Sequence, residues 1–162
     1  ARVMKMSYSA GQLSFWLFSA LMGLSLSTIF VVYTGASIAN AFFTTAVAFG
    51  AMSLFGYTTK KDLSGMGRFL FMGVIGLIVA MIINWFTQSP GLEFAINVLG
   101  VLIFAGLTAY DTQNIKNTYL SIRNAPNGEE IAAKAGILGA LSLYINFLNM
   151  FMFLLQFMGN RE

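Results

Sequence analysis

Five long apolar runs, separated by short polar breaks, organise the chain: 12–33, 38–57, 68–86, 92–110 and 135–158. At 1.5 Å per residue each run makes a helix of about 28 to 36 Å, enough to cross a hydrocarbon core of about 30 Å. None alternates polar and apolar residues as a membrane β-strand must. The pattern therefore predicts an all-α, polytopic helical membrane protein, with five transmembrane helices in a single domain over 1–162. Turn chemistry fills the breaks: Thr34-Gly35-Ala36-Ser37 reads as a tight turn, residues 60–67 as a polar loop and Ser89-Pro90-Gly91 as a break. Residues 112–134 form a long polar stretch with a turn at Asn124-Ala125-Pro126-Asn127-Gly128, and its first half is expected to prolong the fourth helix.

Composition points the same way. Of 162 residues 57% are hydrophobic and only 9% charged, an excess of apolar surface that one water-soluble core cannot hide. The chain has no Cys, which removes disulfides, thiolate metal sites and thiol catalysis. It has no His, which removes the usual general base and metal ligand. A net charge of +3 is expected from basic cytoplasmic loops, and no nucleic acid partner is expected.

Loop charges predict orientation. One side carries Arg2, Lys5, Lys60, Lys61, Arg68, Lys116, Arg123 and Lys134, the other only Arg161. By the positive-inside rule the first side, with the N-terminal end, is expected in the cytoplasm and the C-terminus outside it. The opening Ala1-Arg2-Val3-Met4-Lys5 lacks both Met and the apolar core of a signal peptide. It reads as the cytoplasmic flank of an earlier span, with further helices expected upstream.

Polar residues inside apolar runs need partners or a purpose. Ser142, Asn146, Asn149 and Gln156, with Phe153 among them, follow the helical repeat on the fifth run. The stripe is either a wet pathway or gate, or a set of interhelical hydrogen bonds worth about 0.6 kcal/mol each. A second stripe, Asn97, Phe104, Thr108 and Asp111, descends the fourth run. Asp111 is expected to be the one carboxylate near a helix core, with Asp62, Glu93, Glu129, Glu130 and Glu162 in loops. It is either a solvated helix-end group paired with Lys116 or Lys134, or a partly desolvated functional group. Ala132, Gly136 and Ala140, with Gly73 and Gly76, suggest close helix packing. Trp16 and Trp85 suit an interfacial aromatic belt.

Three segments carry a family resemblance: Lys60-Lys61-Asp62-Leu63-Ser64, Tyr110-Asp111-Thr112-Gln113, and Leu143-Tyr144-Ile145-Asn146-Phe147-Leu148-Asn149-Met150-Phe151. In order and spacing the chain resembles the Bax inhibitor-1 (transmembrane Bax-inhibitor-motif) family, its bacterial YccA-like branch. The resemblance implies a seven-helix fold with the last helix central, of which this chain would hold helices three to seven. Several members are pH-sensitive calcium leak channels, in which two Asp residues on the last two helices share a proton beside a basic residue. Asp111 matches the first Asp. The second position is Asn146, which cannot titrate, so the shared-proton pair cannot form in its family arrangement. Lys5 would match a basic cluster at the end of helix two.

Two functions follow from the resemblance. The first is a cation leak pathway, Ca2+ being the implied transported ion. Asp111 would be its gate or cation contact, Thr108, Asn146, Asn149 and Gln156 would line it, and Lys5 or Lys116 would be the basic partner. The second is a non-conducting protein that modulates a membrane quality-control protease. A serine–histidine intramembrane protease is impossible without His, and an aspartyl one needs two intramembrane Asp. No enzyme activity, cofactor or tightly held metal is expected. The expected home is the lipid bilayer of a bacterial inner membrane.

Overall fold

The computed structural model describes residues 7–159. Six helices follow in chain order: α1 Tyr8–Leu26, α2 Ile29–Val32, α3 Gly35–Thr58, α4 Ser64–Thr87, α5 Pro90–Ile122 and α6 Gly128–Met158. The described residues contain no sheet. With α1 and α2 forming one span, five segments are long and apolar enough to cross a membrane. The protein is an all-α polytopic membrane protein.

Capping explains where the helices start and stop. Ser7, Thr34 and Ser89 each accept a hydrogen bond from a backbone N–H three residues on, opening α1, α3 and α5. The expected turn over 34–37 shrinks to Tyr33 and Thr34, because the Thr34 cap lets the helix resume at Gly35. Gln88 ends α4 in the left-handed conformation (φ 47°), and Pro90 at the first position of α5 supplies a preset φ. Asn127, also left-handed (φ 60°), stands just before α6, and a Cβ on the following Gly128 would strike the Ile122 carbonyl. Before α4, Asp62 Oδ1 accepts from the Ser64 hydroxyl at 2.7 Å and its N–H at 3.0 Å. Those two bonds, the hydroxyl's foremost, hold this loop carboxyl below the usual carboxylate range.

The first run departs from a single helix. At Ser27 and Thr28 the ladder tightens to three-residue bonds, such as Phe30 N–H to the Ser27 carbonyl at 3.2 Å. The Ser27 hydroxyl donates to the Leu24 carbonyl at 2.7 Å, competing for an acceptor the ladder would otherwise use.

Helices α5 and α6 share the most extensive contact and form the axis of the bundle. Helix α5 also touches α3 and α4, and α6 touches α1 and α3. Small residues allow the close approaches, and of those the sequence suggested Gly73 makes one, a Cβ there falling 3.0 Å from Ile103. A Cβ at Gly76 or Gly136 meets nothing within 4 Å. The tight sites are Gly56 on the Ala109 backbone, Gly100 on the Phe153 ring and Gly139 on Ile115. The core between these helices holds Leu77, Ile96, Phe104, Leu107, Met150 and Phe153. A second cluster packs Ile29, Tyr33 and Ala41 on Phe151 and Leu155, at the same level of α6 as Met150 and Phe153. Most remaining large apolar side chains, including Trp16 and Trp85 at 63% and 77% exposed, face outward, as lipid contact requires.

Gly56→Val should lower unfolding stability in detergent by about 1–3 kcal/mol, because the backbone of α5 cannot yield to the new side chain. Gly50→Ala, where a Cβ meets open space, should leave the transition unchanged. Thermal unfolding of the two variants checks the contrast.

Candidate functional site: a polar groove along α5 and α6

Asp111 and Asn146 meet where α5 and α6 face each other. Asn146 Nδ2 donates to Asp111 Oδ2 at 2.7 Å, and Asn146 is only 5% exposed while Asp111 is half-buried. The helical repeat sets this geometry. It turns Asn97, Phe104, Leu107 and Thr108 of α5 and Asn146, Met150 and Phe153 of α6 inward together. A charge-assisted bond at this depth fixes the register of the two longest helices.

Three cavities lie along the same seam. The first, about 360 Å³, runs from Tyr119 and Asn114 to Asp111 and Ser142, floored by the small residues of α6. The second, about 320 Å³, shares Asp111 and Ser142 with the first and continues past Asn146 to Asn149. The third, about 360 Å³, shares Asn149 with the second and reaches Asn97, Glu93, Asn84 and Gln156. Neighbouring cavities share lining residues, which sets the three in a row along the bundle.

The sequence-derived candidates divide. Asp111, Asn146 and Asn149 line the groove at its middle, and the exposed Gln156 lines its far end. Thr108 does not line any of the three cavities. It is wholly buried, its hydroxyl 2.8 Å from the Phe104 carbonyl and 3.8 Å from Met150 Sδ, so it packs the seam instead. Lys116 does not pair with Asp111. Its ammonium donates to the Tyr57 carbonyl at 2.8 Å and sits 4.9 Å from the Tyr57 ring centroid, tying α5 to the end of α3. Lys134 pairs with Glu130 at 2.8 Å, one turn away on α6. Lys5 lies outside the described residues.

Other residues went unnoticed in the sequence. Glu93 is not in a loop but in the first turn of α5, and Glu129 and Glu130 open α6. The four-residue spacing of Glu93 and Asn97 was the available signal. Gln113 is the second omission. Its side chain accepts from the Leu63 N–H at 2.9 Å and donates to the Lys61 carbonyl at 2.6 Å, clamping the α3–α4 loop onto α5. Tyr110, three residues earlier, packs its ring where a Cβ on Gly67 would fall. Two of the three segments that carry the family resemblance are thus held together by side chains of α5. Among the described residues no group of three or more acidic, His or Cys side chains could hold a metal ion.

Fold and groove define a class: a helical membrane protein whose two long helices enclose a polar seam. Residues 1–162 match the family described as "Inhibitor of apoptosis-promoting Bax1" over their whole length. The chain belongs to the Bax inhibitor-1 family. It is 50% identical over 164 residues to inner membrane protein YbhL of Escherichia coli, covering 100% of this chain and 68% of that protein. An uncharacterized protein of Caulobacter vibrioides is 58% identical over 155 residues, covering 95% of this chain and 60% of that one. One of Rickettsia prowazekii is 45% identical over 158 residues, with 98% and 65% covered. The chain therefore spans between 60% and 68% of the length of these relatives.

Gln113→Leu should leave the Leu63 N–H and Lys61 carbonyl without their side-chain partner, at a cost of about 1–3 kcal/mol. Trypsin should then cut at Lys60 and Lys61 faster than in the parent protein, which mass spectrometry of the fragments reads directly.

Proposed function

We propose that the groove is a cation leak pathway, with Asp111 as the site that attracts and gates the ion. The observation that carries this reading is the row of three cavities along the seam, neighbours sharing Asp111, Ser142 or Asn149 as wall. A seam that served only to glue helices would need paired polar groups, not a succession of open spaces, largely apolar-walled, each with polar side chains in its lining. The family's leak-channel members favour the same function. The similarity to YbhL supports placement in a bacterial inner membrane. The end bearing Lys60, Lys61 and Lys116 then faces the cytoplasm, and the Gln156 end faces outward.

One carboxylate suffices for a weak site. A unit positive charge 4 Å from it gains about 4 kcal/mol at an effective dielectric of 20, and a divalent ion about twice that. This is of the order of the roughly 2.5–3.5 kcal/mol cost of placing a charged side chain at mid-membrane. Asn146 holds one oxygen of Asp111 by its Nδ2 proton, and rotation of that amide frees the oxygen for the ion. Ca2+ is the transported ion of this proposal, passing through oxygen ligands without a resident metal. Catalysis has no place in it. Because Asn146 cannot share a proton, the gate lacks the family's two-carboxylate pH response.

Calcium flux into dye-loaded proteoliposomes tests the reading across pH 5 to 8. The parent protein should leak with a profile flat across the neutral range, and Asp111→Asn should leak several-fold less. Asn146→Asp should install a proton-shared pair and make the flux pH-dependent. No flux above empty liposomes in any of the three would overturn the pathway and leave the protease-modulator role, which copurification with a membrane protease would then test.

A further inference from the structure

The end of the groove remote from Asp111 has a chemistry of its own. Its cavity, about 360 Å³, lies between α4, α5 and α6. Asn97, only 3% exposed, lines this space, and its Oδ1 is buried with no hydrogen-bond partner. A buried acceptor left in that state costs about 1–3 kcal/mol, so it is where a ligand that accepts lone pairs would be recovered. Glu93 stands one turn before Asn97 on α5, and Asn149 faces both from α6. Asn84 lines the cavity from α4, its Oδ1 accepting from the Ser89 N–H at 3.0 Å. Trp85, largely exposed, borders the cavity on the α4 side.

We propose that this cavity is a cation-binding site, in which the Glu93 carboxylate and the carboxamide oxygens of Asn97 and Asn149 hold a hard cation of the Ca2+ type. Carboxylate and amide oxygens with no imidazole or thiolate select hard ions over transition metals. A single negative charge makes the site weak, and weak binding is what an ion that must leave again requires. Eighteen residues of α5 separate Glu93 from Asp111, about 27 Å at the helical rise, so the two sites act separately. As an entry station for the ion the site rests on the pathway proposed above, while binding itself does not.

Trp85 supplies the test. Terbium(III) is a hard, oxygen-seeking ion that emits when a nearby indole passes it energy. In uncharged detergent micelles the protein should give saturable terbium emission on tryptophan excitation, displaced by Ca2+. Glu93→Gln and Trp85→Phe should each reduce it at least fivefold, the first by removing a ligand and the second by removing the sensitiser. Asp111→Asn should leave it unchanged. Asn97→Asp should tighten Ca2+ displacement at least tenfold, a gain that misfolding cannot produce. Absent emission, or emission that survives in both Glu93→Gln and Trp85→Phe, overturns the site. Loss of Asp111-dependent flux with terbium emission intact would instead overturn only the pathway, and flux without emission only this site.

Discussion

A carboxylate carried into an apolar helix bundle must find a donor, because neither lipid nor hydrocarbon side chains can supply one. Asp111 finds Asn146 at 2.7 Å. This single bond dictates which faces of α5 and α6 meet, and the rest of the bundle is consistent with that choice. Phe104 stacks on Phe153, Gly100 admits the Phe153 ring and Met150 fills the space against Thr108, all in the register that the Asp–Asn pair sets. The same register places Ser142 and Asn149 on the seam as well, which is why the polar residues form a groove and not scattered contacts.

The bundle holds this seam between two differently built ends. At the basic end the polar atoms of α5 do the fastening: Gln113 grips the α3–α4 loop and Lys116 caps the last turn of α3 at Tyr57. At the other end aromatic and aliphatic packing takes over, with Tyr33 beside Gly159 and Phe94 beside Phe157. Asp111 sits nearer the hydrogen-bonded end, two residues from Gln113, and Glu93 with Asn97 nearer the end packed by aromatic and aliphatic side chains.

Much of this was readable in the sequence, for a physical reason. Apolar runs of about 20 residues have one stable outcome in a membrane, so the five spans follow from the pattern, whereas the meeting of Asp111 with Asn146 was implied by the family resemblance. What was not readable depended on neighbours distant in the chain. Lys116 looked like a partner for Asp111 because five residues separate them, yet a carbonyl 59 residues away holds it. Thr108 lies on the right face but is spent on its own helix and on Met150. Gly136 sat in a persuasive small-residue pattern and packs against nothing, whereas Gly56, with no pattern around it, touches the α5 backbone. Within these five spans α5 is enclosed more fully than α6.

The central claim is that the seam is continuous and wet from end to end. The absence of native Cys lets it be probed one position at a time. Single cysteines at Asn114, Ser142, Asn149 and Gln156, together with lipid-facing controls at Val79 and Leu102, would be exposed in membranes to a small water-soluble thiol reagent. Rapid labelling of the four groove positions, with slow labelling at both controls, is the predicted result. Labelling confined to Asn114 and Gln156, with Ser142 and Asn149 as unreactive as the controls, would mean two dead-end crevices and would contradict the account.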